Sequence, residues 1–306
     1  MPRSDDHVLA CDVGGTTIKA EVVDFGGRVV ESGVLPTPQG EAALAALSQL
    51  GRELIESLEH RTGARPSRAG VVMPGIVDRE RRVGVRSANI GWADLEFGSA
   101  LDAAWQLPVA VDHDVTVAGW AEWREGAGRG HDDVVFVALG TGIAATLVVN
   151  GRLVRGGLGQ AGEFGHLVVR PGGLLCACGG RGCLETVASA SAIARAYTAT
   201  SGRQVSGALD VLAALDVDPV ARRAWQGGVD ALADGLAAVT ALLAPSIVVI
   251  GGGLAEAGDA LLSPLREALA QRSFIAQVPE LSVGRFGARA GLVGAALLAR
   301  HGNPGL

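Results

Sequence analysis

This 306-residue chain lacks a long apolar segment. Its longest uncharged stretch runs through residues 235–253, and Pro245 splits that stretch into a helix end and a short strand, so a membrane span is not expected. The N-terminus, MPRSDDHVLACDVGG, has no apolar core of the kind a secretory signal needs. An excess of positive charge is missing too. Twenty-six Lys and Arg face 32 Asp and Glu, and the net charge of −6 with no basic stripe argues against a nucleic-acid partner. Cysteine is scarce, with four in the chain, which fits a reducing cytoplasm. No GxxxxGK[ST] segment occurs, so a P-loop nucleotide site is excluded.

Glycine, by contrast, is abundant: 45 residues, about twice the usual share of roughly 7%. No collagen-like period or low-complexity tract absorbs them. They fall at turns between apolar runs, as expected of tight loops approaching a ligand. Residues 8–13 and 18–23 read as strands flanking one such turn, a third strand is expected near 28–33, and a helix over about 40–60. Further strands are expected at 69–73 and 109–111, and a helix over 115–125. The pattern then restarts, with strands at 134–139 and 144–149 around Gly140-Thr141-Gly142 and a hairpin turn at Asn150-Gly151. A long helical half follows from about residue 188, and 247–250 is a buried strand. One strand–glycine turn–strand unit is thus used twice, with about 128 positions between Asp12 and Gly140. Strands mixed with helices predict an α/β fold, and the duplication predicts two lobes with a ligand cleft between them.

Within eight residues lie Cys176, Cys178 and Cys183, with His166 ten positions upstream and Glu185 two downstream. Three thiolates and an imidazole close a tetrahedral zinc shell, leaving no position for a reacting water, so the metal is structural. A disulfide is the alternative, but three clustered cysteines cannot all pair and a Cys-x-Cys bridge is strained. In Asp12-Val13-Gly14-Gly15-Thr16-Thr17, directly after a strand, glycine N–H groups can approach phosphate oxygens and a carboxylate can hold Mg2+ through water. An ordinary tight hairpin is the alternative there, and the partner loops Gly140-Thr141-Gly142 and Gly251-Gly252-Gly253 favour phosphate. The GxGxxG match at 157–162 neither follows a strand into a helix nor has a ribose acid, and reads as accidental.

In Asp112-His113-Asp114 a carboxylate at a strand end can accept a hydroxyl proton or cap the next helix. Asn89, Glu163, His166 and Glu185, beside glycine turns, carry the groups a polyhydroxy ligand needs, although a solvated polar surface has the same composition. Trp92, Trp120 and Trp123 suit core packing better than stacking on a sugar.

With these residues assembled, the chain resembles the ROK family of sugar kinases and related repressors, over residues 12 to about 258. Cys176-Ala177-Cys178-Gly179-Gly180-Arg181-Gly182-Cys183-Leu184-Glu185 matches the family's CxCGxxGCxE at every fixed position, with Gly162-Glu163-Phe164-Gly165-His166 upstream. The resemblance implies a two-lobed, actin-like (ribonuclease H-like) ATPase fold with a zinc loop. It implies a small lobe of residues 1–114 plus about 289–306 and a large lobe of 115–288. It implies MgATP at Asp12, Gly14, Gly15, Thr16, Thr17, Lys19, Gly140, Thr141, Gly142, Gly251, Gly252 and Gly253, and structural zinc on His166, Cys176, Cys178 and Cys183. Asp114 takes the role of general base toward a sugar 6-hydroxyl, and Gly75, Asn89, His113, Glu163, His166 and Glu185 line the sugar site. A homo-oligomer, dimer or tetramer, is implied as well.

The chain departs from the family pattern in three places. His113 replaces the usual Asn before the base, Val115-Thr116 replaces a small residue and Asn, and Ile143-Ala144-Ala145 lacks further glycines. The expected function is a hexose kinase, glucose foremost. An amino sugar or cyclitol is the alternative acceptor, and polyphosphate remains a possible donor. A sugar-sensing repressor is the rival of another class. It is disfavoured because the first strand is expected to start by residue 7, which leaves no room for a helix-turn-helix domain, and a non-catalytic sugar-sensing regulator is disfavoured by the intact Asp114 and glycine loops.

Overall fold

The computed structural model describes residues 7–157 and 159–304. The start of the N-terminal segment, Leu158 of the GxGxxG match and the last two residues assigned to the first lobe lie outside them. In chain order the elements are β1 (His7–Val13), β2 (Thr17–Val23), β3 (Val29–Pro36), α1 (Ala42–Thr62), β4 (Pro66–Met73), β5 (Ile76–Asp78), β6 (Val83–Ser87), β7 (Trp92–Leu95), α2 (Phe97–Trp105), β8 (Val109–His113) and α3 (Asp114–Glu125). The second half contributes β9 (Val134–Leu139), β10 (Ile143–Val149), β11 (Arg152–Val154), α4 (Glu185–Ala188), α5 (Ala190–Ser201), α6 (Ala208–Ala213), α7 (Pro219–Leu243), β12 (Ile247–Gly251), α8 (Asp259–Ala270), β13 (Glu280–Val283) and α9 (Ala290–His301).

Two compact units emerge: Met1–Ala121 with Arg289–Leu306, and Glu122–Ala288. The first takes in most of α3, at whose start the sequence reading drew the lobe boundary. Each unit holds a five-stranded sheet of the same order, β3-β2-β1-β4-β8 in one and β11-β10-β9-β12-β13 in the other. In both, the first three strands are antiparallel and the last two parallel. The repeat visible as a glycine hairpin is therefore a repeat of a whole sheet. Asn150 and Gly151, both at positive φ, make the β10–β11 turn.

In the first unit, Leu9, Cys11 and Val13 of β1 and Ile18 of β2 bury one sheet face against Leu47, Leu54 and Leu58 of α1. Trp105 ends α2 in this core, and its indole N–H donates to the Ser48 carbonyl at 3.0 Å. The second core joins Val135, Val137, Val248 and Ile250 of the strands to Leu232 and Leu236 of α7. Asp218 caps α7 by accepting from the Val220 amide at 2.8 Å, with Pro219 in the first turn. Burying these apolar faces, at about 25 cal/mol per Å², drives the folding of each unit.

Two of the three tryptophans expected in the core are there, and Trp123 is half-buried. Trp92 and Trp120 are buried, and Trp123 donates to the His131 carbonyl at 2.8 Å. The chain leaves the first unit through α3 and returns just before α9. Glu122, fully buried, accepts from the amides of Ala127 at 3.0 Å, Arg285 at 2.9 Å and Phe286 at 2.8 Å, and so ties those two passages together.

Candidate active site

In the first unit the β1–β2 turn is closed by Gly14 N–H donating to the Thr17 carbonyl at 2.9 Å. Thr37 braces it from outside, donating its hydroxyl to the Gly14 carbonyl at 2.7 Å and its amide to that of Thr16 at 2.9 Å. Gly15 and Thr16 are exposed at the tip, and Asn89 lies beside Gly15. The residue Asp12 is half-buried at the end of β1. Burial pushes its carboxyl up to about 7, the charge of Asp114 adds to the rise, and Lys19 opposes it. Lys19 is the chain's only lysine, and the β1–β2 register sets it opposite Asp12.

Helix α9 supplies a neighbour that the sequence reading missed. A Cβ on Gly291 would stand 2.5 Å from the Asp12 Oδ2, so the first turn of α9 rests directly on this carboxylate. A helix N-terminus favours negative charge there. The only hint in the sequence is the small-residue run around Gly291.

Strand β8 ends at His113 and α3 begins at Asp114, so Asp112-His113-Asp114 joins strand to helix as expected, with β8 two residues and α3 one residue longer than the sequence predicts. The Asp112 carboxylate is buried and accepts from the His113 amide at 2.7 Å, while Asp114 accepts from the Val115 amide at 2.7 Å. The Nε2 of His113 lies 3.4 Å from Asp114 Oδ1, with both side chains about 27% exposed. An imidazole thus stands next to the candidate base. The Pro74-Gly75 turn joins β4 to β5 and lies against the Arg86 carbonyl.

In the second unit Gly140 N–H donates to the Gly142 carbonyl at 3.0 Å, closing the β9–β10 turn with Thr141 exposed. The 251–253 turn lies beside it, since a Cβ on Gly252 would stand 2.4 Å from the Leu139 carbonyl oxygen, while Gly253 faces open space. Glu185 opens α4, and its Oε2 accepts from the Ile143 amide at 2.8 Å. Sequence reasoning placed Glu185 toward a ligand and missed this bond to the turn.

The four metal candidates converge, with all their donor atoms within 4.8 Å of one another. Cys176 Sγ lies 3.6 Å from His166 Nδ1, and Cys178 Sγ lies 3.7 Å from Cys183 Sγ. All cysteines are free thiols. A disulfide needs about 2.05 Å between sulfurs. A tetrahedral zinc shell, with bonds of about 2.3 Å to sulfur and 2.0 Å to nitrogen, sets S···S edges near 3.8 Å and S···N edges near 3.5 Å. The donor set fits that shell.

The Gly180 amide donates to Cys178 Sγ at 3.4 Å and is the first cause of that thiol's lowered pKa, whereas burial pushes Cys183 up to about 12. The other ring nitrogen of His166, Nε2, faces Glu163 at 3.7 Å.

Each unit therefore gathers part of the expected set. Asp12, Gly14, Gly15, Thr16, Thr17, Lys19, Gly75, Asn89, His113 and Asp114 belong to the first. Gly140, Thr141, Gly142, Glu163, His166, Cys176, Cys178, Cys183, Glu185, Gly251, Gly252 and Gly253 belong to the second. The described residues of the GxGxxG match, all but Leu158, sit in the loop between β11 and the short 3-10 turn Phe164–His166 rather than at a strand-to-helix junction. Among the described residues no helix is long and apolar enough to cross a membrane.

A family model described as the ROK family matches residues 8–302. The glucokinase of Streptomyces coelicolor is 33% identical over 97% of this chain and 98% of its own length. The N-acetylmannosamine kinase of Citrobacter koseri is 34% identical over 95% of this chain and 98% of its own. Among solved structures, the ROK family glucokinase from Streptomyces griseus in complex with glucose and AMPPNP superposes with a TM-score of 0.83 at 32% identity. That match covers 97% of this chain and all of the other.

Proposed function

This chain belongs to the ROK family, and on that premise we propose that it transfers the γ-phosphoryl group of ATP to the 6-hydroxyl of a hexose, glucose first among the acceptors. The observation that carries the reading is a pair of carboxylates at one end of the first sheet. Asp114 stands at the first turn of α3, close enough for its charge to push Asp12 upward, beside a glycine turn able to approach phosphates.

In this mechanism Asp114 accepts the hydroxyl proton as the sugar oxygen bonds to the γ-phosphorus and the bond to the ADP oxygen breaks. Transfer of this kind asks the protein for positioning and charge stabilisation rather than covalent chemistry. The amides of the 14–17 and 140–142 turns would hold the phosphates, and the Gly251-Gly252-Gly253 turn the adenosine side. Asp12 would hold Mg2+ through water, and that ion supplies neutralisation of the phosphate charge. His166, Cys176, Cys178 and Cys183 would hold zinc, whose closed four-donor shell confines it to a structural part. With Nδ1 committed to the metal, His166 Nε2 is left to meet a sugar hydroxyl together with Glu163.

One observation favours a second acceptor class. His113 stands where the family pattern has Asn, and the sequence identity to an N-acetylmannosamine kinase, 34%, is level with the 33% to a glucokinase, although the glucokinase match extends over slightly more of the chain. The test is a set of kcat/KM values with MgATP for glucose, mannose, N-acetylmannosamine, N-acetylglucosamine, kanosamine and a cyclitol. The reading expects glucose to rank first. An amino sugar in first place transfers the assignment to that class, and no turnover on any acceptor by zinc-loaded protein refutes the kinase.

A further inference from the structure

Glu185 is bound to the β9–β10 turn, and the surrounding contacts give that bond a direction. Its Oε2 receives the Ile143 amide at 2.8 Å, and a Cβ on Gly142 would stand 2.6 Å from the same oxygen. Five residues on, the Ala190 amide donates to the Gly140 carbonyl at 3.0 Å. Both ends of the β9–β10 turn are therefore held by the segment that leaves the cysteine loop.

The other flank of that loop grips β10. The Ala145 amide donates to the Gly162 carbonyl at 2.8 Å, and a Cβ on Gly165 would stand 2.2 Å from the Ile143 carbonyl oxygen. His166 follows Gly165 by one residue, and Cys183 precedes Glu185 by two. A metal held by His166 and Cys183 would join the two grips into one closed frame around the turn.

We propose that Glu185 is a positioning residue through which the Cys3His loop sets the shape of the Gly140-Thr141-Gly142 turn, so that metal occupancy and nucleotide binding are coupled. The inference rests on the reading of that turn as a phosphate loop. Coupling of this kind is reciprocal: if metal tightens nucleotide, nucleotide tightens metal. The carboxylate transmits it because a bond from an N–H to a charged acceptor is stronger and shorter than a neutral one.

The experiment is titration calorimetry of MgAMPPNP into sugar-free, full-length protein, paired with hydrogen exchange at the Ile143 amide. Zinc-loaded wild type, zinc-stripped wild type, and the zinc-loaded variants Glu185→Ala and Glu185→Gln are compared. Stripping and Glu185→Ala should each weaken AMPPNP binding roughly tenfold and speed Ile143 exchange. Glu185→Gln, which keeps an acceptor oxygen, should stay within a few-fold of wild type. One zinc per chain in Glu185→Ala would place the loss in the tether rather than in the metal site. Equal AMPPNP affinity and unchanged Ile143 protection in Glu185→Ala overturn this inference alone. If zinc-loaded wild type binds no AMPPNP, the phosphate reading fails and the coupling fails with it.

Discussion

Asp12→Asn has an effect on stability whose sign and pH range follow from the site. In the unliganded protein burial and the nearby Asp114 push the Asp12 carboxyl up to about 7, against an ordinary value near 4. Between those two values the folded chain keeps a proton that the unfolded chain has released. The favourable contribution is complete below about pH 4 and is lost as the pH rises through about 7. At about 1.36 kcal/mol for each tenfold change in proton affinity, an ionised Asp12 costs at most roughly 4 kcal/mol. Of this, roughly 2.5 kcal/mol develops between pH 5 and pH 8.

Replacing the carboxyl by an amide removes the titration. The variant should therefore gain stability over wild type as the pH rises, by up to that amount. Urea unfolding of both proteins at pH 5, 6, 7 and 8, without nucleotide or Mg2+, measures the difference. Turnover should fall in the same variant, because the amide holds Mg2+ poorly. A stability difference that stays constant from pH 5 to pH 8 would refute the assignment of Asp12 as a carboxyl held protonated by its surroundings.

Other outcomes follow from the same geometry. Asp114→Asn should lower kcat by about 10²–10⁴-fold with sugar affinity retained, as single-turnover and binding measurements would reveal, and equal loss of both contradicts its part as base. Removing zinc with a chelator should abolish glucose binding measured by calorimetry and raise protease sensitivity around 163–185; undiminished binding by verified metal-free protein contradicts a supporting metal. Glu122→Ala should cost roughly 3 kcal/mol in urea unfolding, because three amides lose their acceptor around a fully buried side chain. A change below about 0.5 kcal/mol, the size usual for exposed positions, would show that Glu122 does not tie the two chain passages.

Much of the fold could be read from the chain because its signals are local. Alternation and glycine turns mark β1–β2 and β9–β10 to within a residue, and Pro245 separates α7 from β12 where the apolar run is ambiguous. The small sheet β5-β6-β7 was not foreseen. Its strands are three to five residues long and broken by the charged run Asp78-Arg79-Glu80-Arg81-Arg82, which masks any period. Strand β13 has four residues and is defined by its parallel pairing with β12, a partner far away in sequence. The long helical half resolves into α4 to α7.

The site shows the same division. The metal donors lie within eighteen positions, and spacing alone brings them together. The apposition of Asp12 with Gly291 and the bond from Ile143 to Glu185 join distant segments and leave no periodic trace. Gly235 sits inside α7 against Leu184 and Phe164, a position that looks unfavourable for a helix until the cysteine loop packs on it. Glu122 is likewise buried by bonds to the distant Arg285 and Phe286 amides.

The central claim is phosphoryl transfer to a sugar hydroxyl. The most direct measurement is 31P NMR of zinc-loaded protein with MgATP and glucose. The account predicts glucose-dependent loss of the ATP γ-phosphate signal, an equal amount of ADP, and a new phosphomonoester coupled to the C6 protons. Sugar-independent ADP release, or no phosphomonoester at any enzyme concentration with glucose or the other panel sugars, would contradict it.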